Sequence, residues 1–175
     1  MILCSAALAV ALNLSPAPDP EHVDAPRNAT EAALIETIHH RSTGRAFEAV
    51  FMDATVYVRI EPETYAALQQ ARAEGRTSLD GVQMQLWAVE PQPGQYALGV
   101  YLSEQAFNNH HSGHHWISLP GRAALGYAKA NGFGVWVTDG GPTGERADGH
   151  TALWTSAEVG LVLSRNPAPA EGESD

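Results

Sequence analysis

The chain has one cysteine, one lysine and half as many cations as acids. Cys4 stands alone among 175 residues. A lone thiol excludes an intrachain disulfide framework and any zinc site built on two or more thiolates. Thiol chemistry would have to come from the extreme N-terminus, outside the patterned part of the chain, and it is not expected. Lys129, the single lysine, falls late in a helical pattern, where a cation simply complements the helix dipole, so it is not taken as a Schiff-base carrier. Lys and Arg number 10 against 20 Asp and Glu, a formal net charge of −10. Phosphate backbones and anionic lipid surfaces are repelled by such a balance, so neither nucleic acid nor membrane is expected as a partner.

Catalytic signatures are missing too. There is no Gly-x-Ser-x-Gly nucleophile elbow, and Ser112 beside Gly113-His114 is too local for a triad, whose members are neighbours in space rather than in sequence. The stretch "TDGGPTG", Thr138 to Gly144, follows an apolar run as phosphate-binding loops do. It lacks Gly-Lys-Ser/Thr, Pro142 removes a backbone donor, and Asp139, Glu145 and Asp148 add negative charge, so a flexible connection is the better reading. No cofactor and no enzymatic activity are expected.

Long hydrophobic runs are absent apart from residues 2–14, "ILCSAALAVALNL", which are too short to span a bilayer but match a signal-peptide core in length. No Lys or Arg precedes them, and "SPAPDPE" offers no proline-free small-x-small cleavage site. The chain is therefore expected in the cytoplasm, with export through this segment as the alternative. Residues 1–28 read as an apolar leader and Pro-rich linker, 29–164 as one folded domain, and 165–175 as a disordered acidic tail.

What is present is an alternation of helix and strand signals. Asn28-Ala-Thr-Glu31 has the form of a helix N-cap, and Leu34, Ile35 and Ile38 carry that helix to about His40. "RAFEAVFMDA" gives a second, short amphipathic helix, and "TVYVRI" a first strand. Glu61-Pro62 opens a helix that stops at Gly75. Alternation from Val82 to Val89, the turn signal "PQPG" and "QYALGVYL" make an antiparallel hairpin. Ser103 caps a short helix through Phe107. "HWISL" is a strand, "GRAALGYAKA" a helix behind Pro120 and closed by Asn131-Gly132, and "FGVWVT" an interior strand, apolar on both faces. Thr155-x-x-Glu158 is a capping box with Trp154 and Val159 at staple positions, marking a last helix. The expected fold is a single α/β domain, with α+β character, in which helices flank a mixed sheet.

The cluster "HHSGHH" holds four of the chain's eight histidines. His110, His111, His114 and His115 are the candidate metal ligands, yet no second thiolate and no nearby carboxylate except Glu104 supports them. Flanked by Asn108-Asn109 and split by Ser112-Gly113, they read first as a solvated loop and second as a pH-sensitive element, charging near pH 6. Tyr57, Trp87, Tyr96, Tyr101, Trp116 and Trp136 all fall in strand patterns, where packing is the default and one or two can front an interaction surface.

Four segments, "GRAFEAVFMDATVYV", "YALGVYLSEQAF", "HWISLPGRAALGYAKANGFGVWVTDGGPTG" and "ALWTSAEVGLVL", resemble in pattern and order the N-terminal domain of the SseB (enhanced serine sensitivity) family. Tyr101-Leu102-Ser103 departs from the family's usual Phe-Thr-Ser, and Thr138-Asp139-Gly140 from an Asn-Pro-Gly-like turn. The resemblance implies an α/β domain without catalytic residues to carry across. A sulfurtransferase link would need a reactive cysteine at a loop mouth, a role Cys4 does not fit. The expected function is therefore a non-enzymatic accessory module that binds protein, with a metal- or pH-responsive binder built on His110–His115 as the alternative.

Overall fold

A computed structural model of the chain describes residues 26–76, 84–140 and 149–168. The apolar leader with Cys4, most of the Pro-rich linker, the first residues of the strand expected from Val82, the second half of "TDGGPTG" and the end of the acidic tail lie outside the described residues. The elements run α1 (Ala29–Ile38), α2 (Gly44–Asp53), β1 (Thr55–Arg59), α3 (Pro62–Ala73), β2 (Ala88–Gln92), β3 (Gln95–Tyr101), α4 (Glu104–His111), β4 (Trp116–Pro120), α5 (Gly121–Asn131), β5 (Gly134–Thr138), β6 (Thr151–Trp154) and α6 (Ser156–Arg165).

Local chemistry sets most of these boundaries. The Asn28 side chain accepts hydrogen bonds from the Thr30 and Glu31 amides at 2.9 Å each, satisfying two of the free donors at the start of α1. Ser103 Oγ does the same for Ala106 N at 3.1 Å in α4. Thr155 and Glu158 form the full reciprocal capping box on α6. At the other end of α5, Gly132 takes a left-handed conformation, φ 71°, and stops the helix.

The sheet is mixed, in the order β4-β1-β3-β5-β6, with β2 also on β3. Only the β3–β5 pair is parallel; every other pairing is antiparallel. The α/β expectation thus holds, and "FGVWVT" supplies β5, an interior strand. Three details differ. The hairpin turn is tighter than "PQPG": Gln92 pairs with Gln95, leaving Pro93-Gly94 as a two-residue turn in which Gly94 has φ 77°. Pro93 presets one turn dihedral and glycine supplies the other, so Pro91 stays in the strand beside a register shift. Before that strand, Met84 and Leu86 make only single bridges rather than continuing the alternation. A further strand, β6, was not expected: "TALW" is short and gains its definition only by pairing with β5, Val135 with Trp154 through Thr138 with Thr151.

Side-chain alternation sorts the sheet into two unlike faces. Val56, Val58, Leu98, Val100, Ile117, Leu119, Val135 and Val137 point to one face, where they form the main core with Leu34, Phe51, Leu68, Leu125 and Val162 from α1, α2, α3, α5 and α6. Phe47 and Phe51 pack their rings on Trp154 at 5.6 and 5.1 Å. Burying such a ring stabilises the fold by roughly 2–3 kcal/mol. Five helices thus cover one face. Among the described residues the eight-residue α4 is the helix on the other.

Arg27 and Asn28, placed by sequence in the linker, are tied to the domain. Arg27 Nη1 donates to the Asp139 carbonyl at 2.7 Å and Asn28 Nδ2 to the Leu102 carbonyl at 2.8 Å. At the far end Arg165 Nη2 pairs with Glu48 at 2.7 Å. Among the described residues no helix is long and apolar enough to cross a membrane.

Candidate functional site

Strand register gathers the aromatics. Tyr57 pairs with Tyr101 and with Ser118, Arg59 with Trp116, and Gly99 with Trp136. All these residues share the face opposite the main core, because cross-strand partners point the same way. Tyr101, Ala106 and Phe107 are buried there, with Tyr57, Trp116 and Trp136 packed around them. The rings meet edge to face, Tyr57 on Trp116 at 4.9 Å, Tyr101 on Phe107 at 5.3 Å and Tyr101 on Trp136 at 6.0 Å, the arrangement that aromatic quadrupoles favour. Trp87 lies 38% exposed, its ring under the Arg59 guanidinium at 4.0 Å.

The histidines do not form one loop. α4 continues through His111, past the expected end at Phe107, so His110 and His111 occupy its last turn and only Ser112–His115 connect to β4. Asn108 and Asn109 are poor helix formers; packing of the last turn on Tyr101 and Trp136 outweighs their preference. His111 Nε2 shares a 2.6 Å hydrogen bond with the Tyr101 hydroxyl. His110 packs against Trp136 at 6.3 Å, and the ring of His114 stands edge-on to His111 at 5.8 Å. His115 leaves the group and stacks flat on Tyr65 of α3, 3.7 Å between centroids. With one nitrogen of His111 engaged and His115 turned away, the four imidazoles do not converge. No three His, Cys, Asp or Glu side chains among the described residues are placed to hold a metal ion.

Burial, together with Arg59 and the neighbouring His110 and His114, lowers the His111 pKa from 6.5 to about 4. Burial also lowers His110, and it raises Tyr101 well above the usual phenol range. Both histidines therefore move away from the pH 6 region on which the alternative reading, a pH-responsive element, depended. Because the folded value of His111 lies below the unfolded one, its contribution to stability is complete above pH 6.5 and is lost as the pH falls towards 4. Solvent contact reduces that contribution to on the order of 1 kcal/mol. A side-chain NMR titration is expected to find the His111 imidazole neutral down to about pH 4. A midpoint near 6.5 would show that burial does not hold it neutral.

A second polar cluster escaped sequence reasoning. Asp139, buried at the C-terminal end of β5, accepts from the His150 amide at 2.9 Å and shares a 2.7 Å contact with His150 Nδ1. His39 stands edge-on to His150 at 5.5 Å. The only signal was Asp139 itself, which sequence analysis placed in a flexible connection; it lies eleven positions before His150, and antiparallel pairing of β5 with β6 is what closes that distance. Elsewhere, an open depression of about 430 Å³ beside Tyr96, Phe133 and Leu153 has no acid, imidazole or cation in its lining, which leaves acid–base chemistry there to Tyr96 alone.

Compared with known families, the chain matches the SseB protein N-terminal domain over residues 31–144, well over half its length. The chain belongs to this family. No curated protein and no solved structure matches it. Within this SseB domain the matched span holds the whole aromatic face and all four clustered histidines. It ends before β6 and α6, whose Trp154, Val159 and Val162 complete the core. Arg27 and Asn28, which fasten the start of α1, also precede it.

Proposed function

We propose that this domain is a non-enzymatic protein-binding module and that it binds through the sheet face beside α4. One observation carries the reading: Tyr57, Trp87, Trp116 and Trp136 surround a face covered, among the described residues, by a single eight-residue helix, while the opposite face is packed under five. A sheet normally buries both faces or keeps one polar, so a face rich in half-buried indoles calls for a further layer. Tryptophan and tyrosine are the usual anchors of such contacts. The reading of an accessory rather than a catalytic domain is supported by the engagement of Tyr101 with His111, which occupies the one phenol and imidazole nitrogen placed close enough for proton transfer on this face. The alternative of a metal-responsive binder loses its support with the dispersal of His115 onto Tyr65.

The test is capture from lysate of the source cell with the full chain as bait. The double variant Trp87→Ala, Trp116→Ala is expected to retain at least about tenfold less of any captured protein than the parent, whereas Tyr96→Ala, on the far side, retains it all. Equal capture by the parent and the double variant would remove this face from consideration.

A further inference from the structure

Resting on that reading, we infer that Arg59 is the anchor of the face and that the partner presents an internal aspartate or glutamate with apolar side chains on both sides. Among the described residues the Arg59 side chain makes no hydrogen bond and no ion pair, although it is partly buried in a protein of net charge −10. Among the eight arginines in the described chain, Arg27 has Glu31 as a polar partner, Arg41 has Glu36, Arg165 has Glu48, and Arg122 donates to the Asn166 carbonyl. Held over the Trp87 ring with its Cζ 4.0 Å from the centroid, the Arg59 guanidinium has no hydrogen bond on its N–H edges among the described residues, and those edges match a carboxylate two bonds at a time.

The surroundings select the charge and its context. His111 and Tyr101, two titratable groups on which Arg59 acts, are both held neutral at ordinary pH, so neither offsets the cation. Of the acids that act on the face, Glu104 bears on Tyr57 and Asp139 on His110. Trp116 sits on the strand beside Arg59, directly across the β1–β4 ladder, and Trp136 lies on the other side, on β5, across β3 and the side-chain-free Gly99. A segment laid across the strands meets indole, guanidinium and indole in turn. Apolar side chains flanking a carboxylate on both sides satisfy that order; a chain terminus, which has residues on one side only, does not. Beyond the face the protein is acidic, so basic residues outside the anchor complete the complementarity.

The probe is an acetylated and amidated heptapeptide, Arg-Leu-Leu-Glu-Leu-Leu-Arg, added to the full chain at about millimolar concentration and followed by NMR at Arg59 Nε and the tryptophan indoles. Two companions carry Gln in place of Glu, or end in Leu-Leu-Glu with a free carboxylate. The expected result is a shift of Arg59 Nε with the Trp116 and Trp136 indoles, and binding about tenfold weaker for the Gln peptide at low salt. In Arg59→Gln, whose unchanged Trp154 signals report an intact core, the Glu and Gln peptides are expected to bind alike. Equal binding of the two peptides to the parent, no shift at Arg59, or tightest binding by the free-terminus peptide each overturns the inference. The two readings fail separately. Lysate capture that depends on Trp87 and Trp116 but is indifferent to Arg59→Gln keeps the surface and removes the anchor, and capture indifferent to all three substitutions removes both.

Discussion

Gly140→Ala is expected to cost the fold about 3 kcal/mol, a fall in melting temperature of roughly 10 °C. Gly140 has φ 79°, a backbone conformation that an alanine adopts only with strain. An added Cβ would also run into the α-carbon of Ala106 and lie 2.6 Å from its Cβ and 2.7 Å from its carbonyl oxygen. Ala106 is fully buried in the first turn of α4, so neither partner has room to yield without moving the helix. Movement of α4 would disturb His110, which bonds to the Gly140 backbone, and the contact of Phe107 with Tyr101. Thermal unfolding by circular dichroism, with the Trp136 indole signal as a local reporter, checks both parts. A variant melting within about 2 °C of the parent would mean that the end of β5 and α4 are not in the tight contact described.

The second large effect lies at the start of the folded region. Glu31 is 1% exposed, and it accepts from the Arg27 amide at 2.6 Å and from Arg27 Nη1 at 3.2 Å. Arg27→Ala leaves that carboxylate buried with its backbone bond alone, and a loss of about 3 kcal/mol is expected. Replacing both partners by apolar residues, Arg27→Met with Glu31→Leu, removes the uncompensated charge and is expected to recover more than half of the loss. Chemical denaturation of the two variants decides it: a double variant no more stable than Arg27→Ala would show that the damage came from the lost bond to the Asp139 carbonyl and not from the stranded charge.

Much of this fold was legible because its signals are local. Asn28, Pro62, Ser103 and the Thr155–Glu158 pair announce helix starts through backbone donors that the side chains themselves satisfy, and Gly132 announces a stop through a dihedral other residues avoid. What stayed hidden depends on pairing. The last turn of α4 exists because Tyr101 and Trp136 wait beneath it, and β6 exists because β5 accepts it. The candidate site shows the same divide. Each aromatic was visible as a strand residue, yet whether Tyr57, Tyr101, Trp116 and Trp136 face together is a matter of register, which a one-residue slip would reverse. Arg59 gave no signal at all in the sequence; its interest lies in the polar partner it lacks. The histidine run, conspicuous in one dimension, is divided between Tyr101 and Tyr65 in three.

The strand order has a consequence for the growing chain. β1 ends up between β3 and β4, both of which follow it in sequence, so Thr55–Arg59 leaves the ribosome with neither edge partnered. Its first partner is complete only at Tyr101 and its second only at Pro120. Through that interval a β-branched, apolar segment is a template for any passing strand. Brevity is its protection: five residues, the last of them the charged Arg59, offer a stranger too short a ladder to hold.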